Sequence, residues 1–368
     1  MNELIGRRLK VARENSGLTQ AELAKLLDFN DRQTLTAIET GNRKINADEL
    51  LRVINILGLD LDYFTDSYRL EGEGQFSWRA SGDIEKNKIT QFEKRASRWI
   101  ATYKRLGEIQ GEYISPLEAR LTLNAKSKFE DVRKAAESLA KEWELGEIPA
   151  LKLEDAIFKN INSLVLYVDC PNEISGAACQ IPGMNTILIN RNELEGRRNY
   201  TLAHECFHLL TWEQMPPEYT DSDSSRNNKH KRIEQLANIF SSTLLMPEET
   251  LSAHWEKSEN KDVHDWLNDA ASKLMVTAQA VKWRIVNLGW FSQKDLTGIN
   301  DKKLISNGRP EDKQSKPRLF CLAFVVRIHA AIEKGQLTIR RLAELLGFLI
   351  DDITALFTSY ELSVPFEI

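Results

Sequence analysis

The residue types and spacing that could do chemistry in this 368-residue chain are concentrated in His204-Glu205-Cys206-Phe207-His208. On an α-helix, positions i and i+4 project from one face, so both imidazoles can reach one metal ion while Glu205 beside them takes a proton from an attacking water. Apolar Leu202, Ala203, Phe207, Leu209 and Leu210 place the segment on a buried helix. Cys206 is two residues from each histidine, so it points away from that face and reads as core packing. A hydrolytic zinc needs a third protein ligand and an open fourth position. Thr211 and Gln214 occupy the places where an extended motif would carry Gly and a third His, so the ligand must come from elsewhere. Glu234, 26 residues beyond His208, is the preferred candidate because it opens a second helical run that would hold a carboxylate rigidly. His230, Glu213, Asp221 and Asp223 are alternatives in or beside a polar loop. Tyr200, Tyr219 and His230 are candidate donors to an oxyanion.

The elements that must position these residues are legible nearby. RRNYTLAHECFHLLTW and HKRIEQLANIFSSTLL have helical periodicity, and Met246-Pro247 ends the second. Two runs rich in Val, Ile and Leu precede them, SLVLYVD (163–169) and NTILIN (185–190), and predict a small sheet. The NTILIN strand is expected to offer an edge along which an extended substrate could pair. Helical patterns also fill 91–150, 262–290 and the last fifty residues. Residues 67–90 and 298–318 are polar and rich in Gly, Pro or charge, and read as linkers, the first anchored at Phe76–Trp78. At the N-terminus, five short helices are expected, with Thr19 capping the second and Gly41 stopping the third. LTIRRLAELLG (337–347) lines up with LTQAELAKLLD (18–28) as a degenerate repeat.

Composition bounds the rest. The length suits two or three domains, and 42% hydrophobic with 28% charged residues is ordinary for a folded globular chain. Forty-nine basic against 54 acidic residues give a net charge of −5, so no chain-wide basic field draws the protein to nucleic acid or to a membrane. The four cysteines form no Cys-x-x-Cys pair, and no signal peptide or long apolar span is visible; a cytoplasmic protein with free thiols, without a membrane partner, is expected.

The run from IPALKLEDAIFKNINSLVLYV through NTILINRNELEGRRNYTLAHECFHLL to RIEQLANIFSSTLLMP resembles the ImmA/IrrE family of metallo-endopeptidases over roughly residues 91–290. The resemblance implies His204, His208 and Glu234 as metal ligands and Glu205 as general base. It also implies a function, the cutting of a repressor so that transcription turns on. LTQAELAKLL, TAIETGNRKI and ELLRVINILGLDLDYF resemble the helix-turn-helix domain of the Xre (lambda-repressor-like) family. That likeness implies a third helix in the major groove, with Arg32, Gln33, Thr34 and Thr36 at base edges and Gln20, Arg43 and Lys44 on phosphates. The turn DFND is one residue longer than the family's usual spacing. Residues 1–45 carry eight basic and six acidic side chains, a surplus too small for tight binding by a monomer, so a homodimer on a paired operator is expected. LMVTAQAVKWRIVNLGW (274–290) resembles a further helix-turn-helix segment, of the kind that packs on a peptidase core.

The expected fold is mainly α with a small β-sheet. A helix-turn-helix domain (1–66) and linker (67–90) precede a zincin-like peptidase domain (91–297: lead-in 91–150, core 151–255, helix-turn-helix-like helices 262–290), a second linker (298–318) and a helical tail (319–368). The expected function is a DNA-binding transcriptional regulator with a zinc-dependent endopeptidase that cuts a protein partner, with manganese as an alternative metal since it accepts the same ligands. A competing reading is an antitoxin-like repressor whose peptidase fold binds a toxin or other partner without cutting it. A third is self-cleavage at the first linker.

Overall fold

The structure is a computed structural model that describes residues 2–70, 74–80, 84–112, 120–220, 228–256, 262–291, 298–308 and 316–365. Five helices, α1 (Asn2–Asn15), α2 (Gln20–Leu26), α3 (Arg32–Glu39), α4 (Ala47–Leu57) and α5 (Leu61–Thr65), close around Leu9, Leu23, Leu35, Ile38, Val53 and Phe64. Polar caps start four of them. Thr19 and Asn46 form capping boxes with Glu22 and Glu49, and the Asp31 and Asp60 carboxylates accept the backbone N–H groups of Thr34 and Tyr63. A Cβ at Gly6 would lie 2.2 Å from the Ile38 carbonyl oxygen, so the close crossing of α1 and α3 depends on that glycine.

A four-stranded sheet organises the remainder: β1 (Gln75–Ala80), β2 (Ser163–Val168), β3 (Ile174–Ile181) and β4 (Met184–Asn190) in the order β1-β3-β4-β2. β3 is antiparallel to both neighbours, and β4 runs parallel to β2. Both faces are covered, which is why the strands read as unbroken apolar runs. On one face lie α6 (Lys86–Gln110) and the C-terminal helices α14 (Leu322–Glu333), α15 (Ile339–Leu346) and α16 (Ile350–Ser359). The other carries α7 (Phe129–Glu142), α8 (Leu153–Ile161), α9 (Glu195–Thr211) and α10 (Asn228–Leu245), backed by α11 (Glu248–Glu256), α12 (Val263–Leu274) and α13 (Ala278–Asn287). No helix among the described residues is long and apolar enough to cross a membrane.

The mainly helical α+β architecture agrees with the sequence; several details differ. β4, the NTILIN strand, is interior, with Thr186 opposite Cys179 on one side and Leu164 on the other, so it has no free edge for a substrate. The outer edge of the sheet beyond β3 belongs to β1, inside the stretch expected to be a linker. Phe76 and Trp78 alternate into the core there and fix a full strand rather than an isolated anchor. The described part of the second expected linker is also docked: the Ser306 backbone carbonyl accepts the Ala278 N–H at 3.0 Å, and the Asn307 side-chain Oδ1 accepts the Gly196 N–H at 3.1 Å. The C-terminal helices are the wall of the sheet's second face, where the Trp99 indole N–H donates to the Leu346 carbonyl at 3.2 Å. The two stretches that echo helix-turn-helix units, 274–290 and 337–347, both sit in packed core.

Candidate metal centre and nucleic-acid interface

α9 is apolar nearly all round because it lies between the sheet and α10, which buries Leu202, Ala203, Cys206, Phe207 and Leu210. It can approach β3 closely because residue 176 is glycine: a Cβ there would meet the Leu188 carbonyl oxygen at 2.5 Å and the Thr201 methyl at 2.8 Å. α10 packs along α9 through Ile233, Leu236, Ala237 and Phe240, and the rings of Phe207 and Phe240 stand 5.3 Å apart. That contact sets the register in which Glu234 faces the two histidines, six residues before Phe240. Arg284 of α13 fixes the far end of α10, donating to the Met246 carbonyl at 3.2 Å and to the Thr243 hydroxyl at 3.0 Å.

Three ligand-type atoms converge as a result. His204 Nε2 lies 3.0 Å from one Glu234 carboxylate oxygen, His208 Nε2 lies 3.4 Å from the other, and the two Nε2 atoms are 3.1 Å apart. Tetrahedral zinc with ligands at its usual bond lengths spaces them roughly 3.3 Å apart, so this set fits such an ion with little adjustment. No other group of three or more His, Cys, Asp or Glu side chains meets as closely among the described residues. The protonation states suit the task. Burial foremost, and then the positive charge of Arg79, push His204 down to about 3, leaving a neutral imidazole. Burial alone would raise Glu234, but the facing imidazoles, His208 first, hold it well below the usual carboxylate range. A neutral imidazole at His204 and an anionic carboxylate at Glu234 are forms that bind a metal. Glu205 follows His204, is about 1% exposed and lies some 100° further round the helix.

The other expected residues divide. Tyr200 is one turn before His204, and its hydroxyl donates to the Asn238 carbonyl at 3.0 Å, bridging α9 and α10. His230 is one turn before Glu234, with Nε2 2.9 Å from a Glu218 carboxylate oxygen. Tyr219 does not join them, because its hydroxyl pairs with Glu93 on α6, and its backbone carbonyl accepts the Trp78 N–H at the outer edge of β1, 2.8 Å away. Glu213 pairs with Arg120 at the surface rather than entering the site. Asp221 and Asp223 lie outside the described residues. Cys206 is buried, and burial raises its thiol pKa, in keeping with packing. Sequence reasoning missed Arg79, one of four basic residues in the supposed linker. Strand alternation turns it toward α9, with its guanidinium 5.6 Å from the Tyr200 ring centre. Its one available signal was the Phe-x-Trp alternation beside it.

In the N-terminal unit, Arg32, Gln33 and Lys44 are exposed and Thr34 and Thr36 partly so, along and just beyond α3. Two of the expected phosphate ligands have internal partners. The Gln20 amide donates to Glu39 at 2.7 Å and accepts from the Thr36 hydroxyl at 3.2 Å, and Arg43 is paired with Glu49 at 2.7 Å. Glu39 is also the buried partner of Arg13, at 2.6 Å, so this network joins α1, α2 and α3.

Fold and site together define a helix-turn-helix domain joined to a metallopeptidase-type domain. Family comparison gives the same division: residues 9–64 match the helix-turn-helix family and residues 159–286 match the IrrE N-terminal-like domain, a peptidase family. The chain is a fusion of an Xre-like DNA-binding domain with an IrrE-like peptidase-family domain. A search of curated proteins finds no match.

Proposed function

We propose that the chain is a cytoplasmic transcriptional regulator whose zinc-dependent endopeptidase domain cuts a protein partner, foremost a repressor. The observation that carries this reading is the convergence of His204, His208 and Glu234 beside Glu205 in a domain joined to a DNA-binding head. A divalent ion held by the three side chains supplies Lewis acidity, polarising a peptide carbonyl and making water a better nucleophile. Glu205 takes the proton from the attacking water and returns it to the leaving amine. His230, oriented by Glu218, is the group on hand to donate to the oxyanion, and Tyr200 would do so on releasing the Asn238 carbonyl. The outer edge of β1 is the place for an extended substrate. Arg32, Gln33, Thr34 and Thr36 would read the operator as a homodimer, with Lys44 on phosphate and Gln20 and Arg43 holding the reading helix in place. The four free cysteines suit a reducing compartment.

The competing reading, a repressor that binds its partner without cutting, draws on the bond from the Trp78 N–H to the Tyr219 carbonyl, which already occupies part of that edge. Glu205→Gln separates the two. It is nearly isosteric and spares the ligands, so regulation of a reporter should vanish for a peptidase and survive for a binding repressor.

A further inference from the structure

Beside the metal centre lies a cleft of about 730 Å³ that the proposed chemistry does not use. It begins where the site ends. Tyr200, one turn before His204, and Asn238, one turn after Glu234, form the partition, and the Tyr200-to-Asn238 hydrogen bond holds it closed. Beyond it the walls are mostly apolar: Leu194, Ile239, Ala280 and Leu304, with Trp283, 46% exposed, at the lip. This size and lining suit a large apolar side chain with some of its flanking backbone.

Among the described residues, the charges around the cleft are not balanced. Arg197 is paired with Glu193 at 2.8 Å and with the Ser175 hydroxyl, and Asp301 is paired with Lys282 at 2.7 Å. Arg79 has no anionic partner among the described residues: its Nη1 is buried without a hydrogen-bond acceptor, and its guanidinium sits against the face of Tyr200. Arg79 lines the cleft, so its charge, without an anionic partner among the described residues, favours an incoming carboxylate or carbonyl oxygen on the accessible side of the guanidinium.

The geometry points to this cleft as the specificity pocket for the protein partner: it takes a large apolar side chain, Phe, Leu or Met, while Arg79 holds an acidic residue next to it in the sequence. This inference rests on the reading that the site handles a polypeptide. It adds which polypeptide segments qualify.

The test uses the full-length, zinc-loaded Glu205→Gln chain, which retains peptides without cutting them, immobilised against a synthetic nonapeptide library randomised at three central positions. Retained peptides should be enriched for Phe, Leu or Met beside Asp or Glu, by about tenfold or more over the input. Ala280→Phe, which fills the cleft from its rim, and Trp283→Ala, which trims an exposed lip residue and should not disturb folding, should each abolish the apolar preference. Arg79→Gln should remove the acidic preference and leave the apolar one. No enrichment, or enrichment indifferent to both cleft variants and to Arg79→Gln, overturns the inference. The parent reading fails separately: wild-type chain that retains the predicted peptides but leaves them uncut would sink the peptidase and keep the pocket, whereas cutting without the predicted preference would do the reverse.

Discussion

Removing the Glu234 carboxylate should uncouple metal from stability. In the wild type, two imidazoles and one carboxylate already stand 3.0 to 3.4 Å from one another, so an ion can bind without prior rearrangement of α9 against α10. An ion that binds the folded state alone stabilises it by about 2.7 kcal/mol at a hundred times its dissociation constant and about 4.1 at a thousand times. For a body of this size each kcal/mol moves the midpoint by about 2–4 °C, so adding zinc to metal-stripped protein should raise it by about 5–16 °C. Glu234→Ala leaves two ligands and an opening where the third stood. Its metal-dependent rise should fall below about 2 °C, while its metal-free midpoint drops somewhat because the carboxylate's hydrogen bonds to His204 and His208 are lost. Thermal unfolding followed by circular dichroism, with and without zinc, reads both quantities. An equal zinc response in wild type and Glu234→Ala would refute the reasoning, because the ion would then be bound elsewhere or without Glu234.

Two further outcomes concern the DNA-binding head. Glu39→Ala removes the closest partner of Arg13, which keeps the Leu18 carbonyl and Glu14, and should cost about 1.5–3 kcal/mol, a substantial share of the roughly 3–10 expected for a 65-residue domain, and DNA binding should weaken with it. Replacing both Arg13 and Glu39 by Met should recover most of the loss, and an Glu39→Ala variant that melts like wild type would show the pair to be idle. Lys44→Ala should weaken operator binding about equally for all sequences and lower the salt slope by about one, whereas Gln33→Ala should relax preference at one base pair by about 1–3 kcal/mol; fluorescence anisotropy across salt and operator variants distinguishes the two.

The parts of this molecule that depend on short-range pattern were legible in its sequence. His204 and His208 at helical spacing, the capped helices of the head, and the β-branched runs of β2 and β4 all declare themselves within a few residues. β3 did not, because Ile174-Ser-Gly-Ala-Ala-Cys-Gln-Ile181 has few strand formers. Its small residues answer a tertiary demand, the close approach of α9 over Gly176. β1 was hidden for a related reason: six residues in a Gly-rich polar stretch become a strand because β3 is there to pair with them. Periodicity likewise showed the C-terminal helices but not which surface they cover, since nothing local joins Leu346 to Trp99, 247 positions away. Arg79 was illegible until β1 placed it over Tyr200.

Proteolysis is the central claim, and its most direct measurement is a comparison of protein N-termini in cells producing the wild-type chain or Glu205→Gln at equal levels. The account predicts a small set of new N-termini that require Glu205, with one of them in a DNA-binding repressor and not within residues 67–90 of the chain itself. Identical N-termini in the two strains, alongside unchanged regulation of the same genes, would contradict it and leave a regulator that binds its partner without cutting.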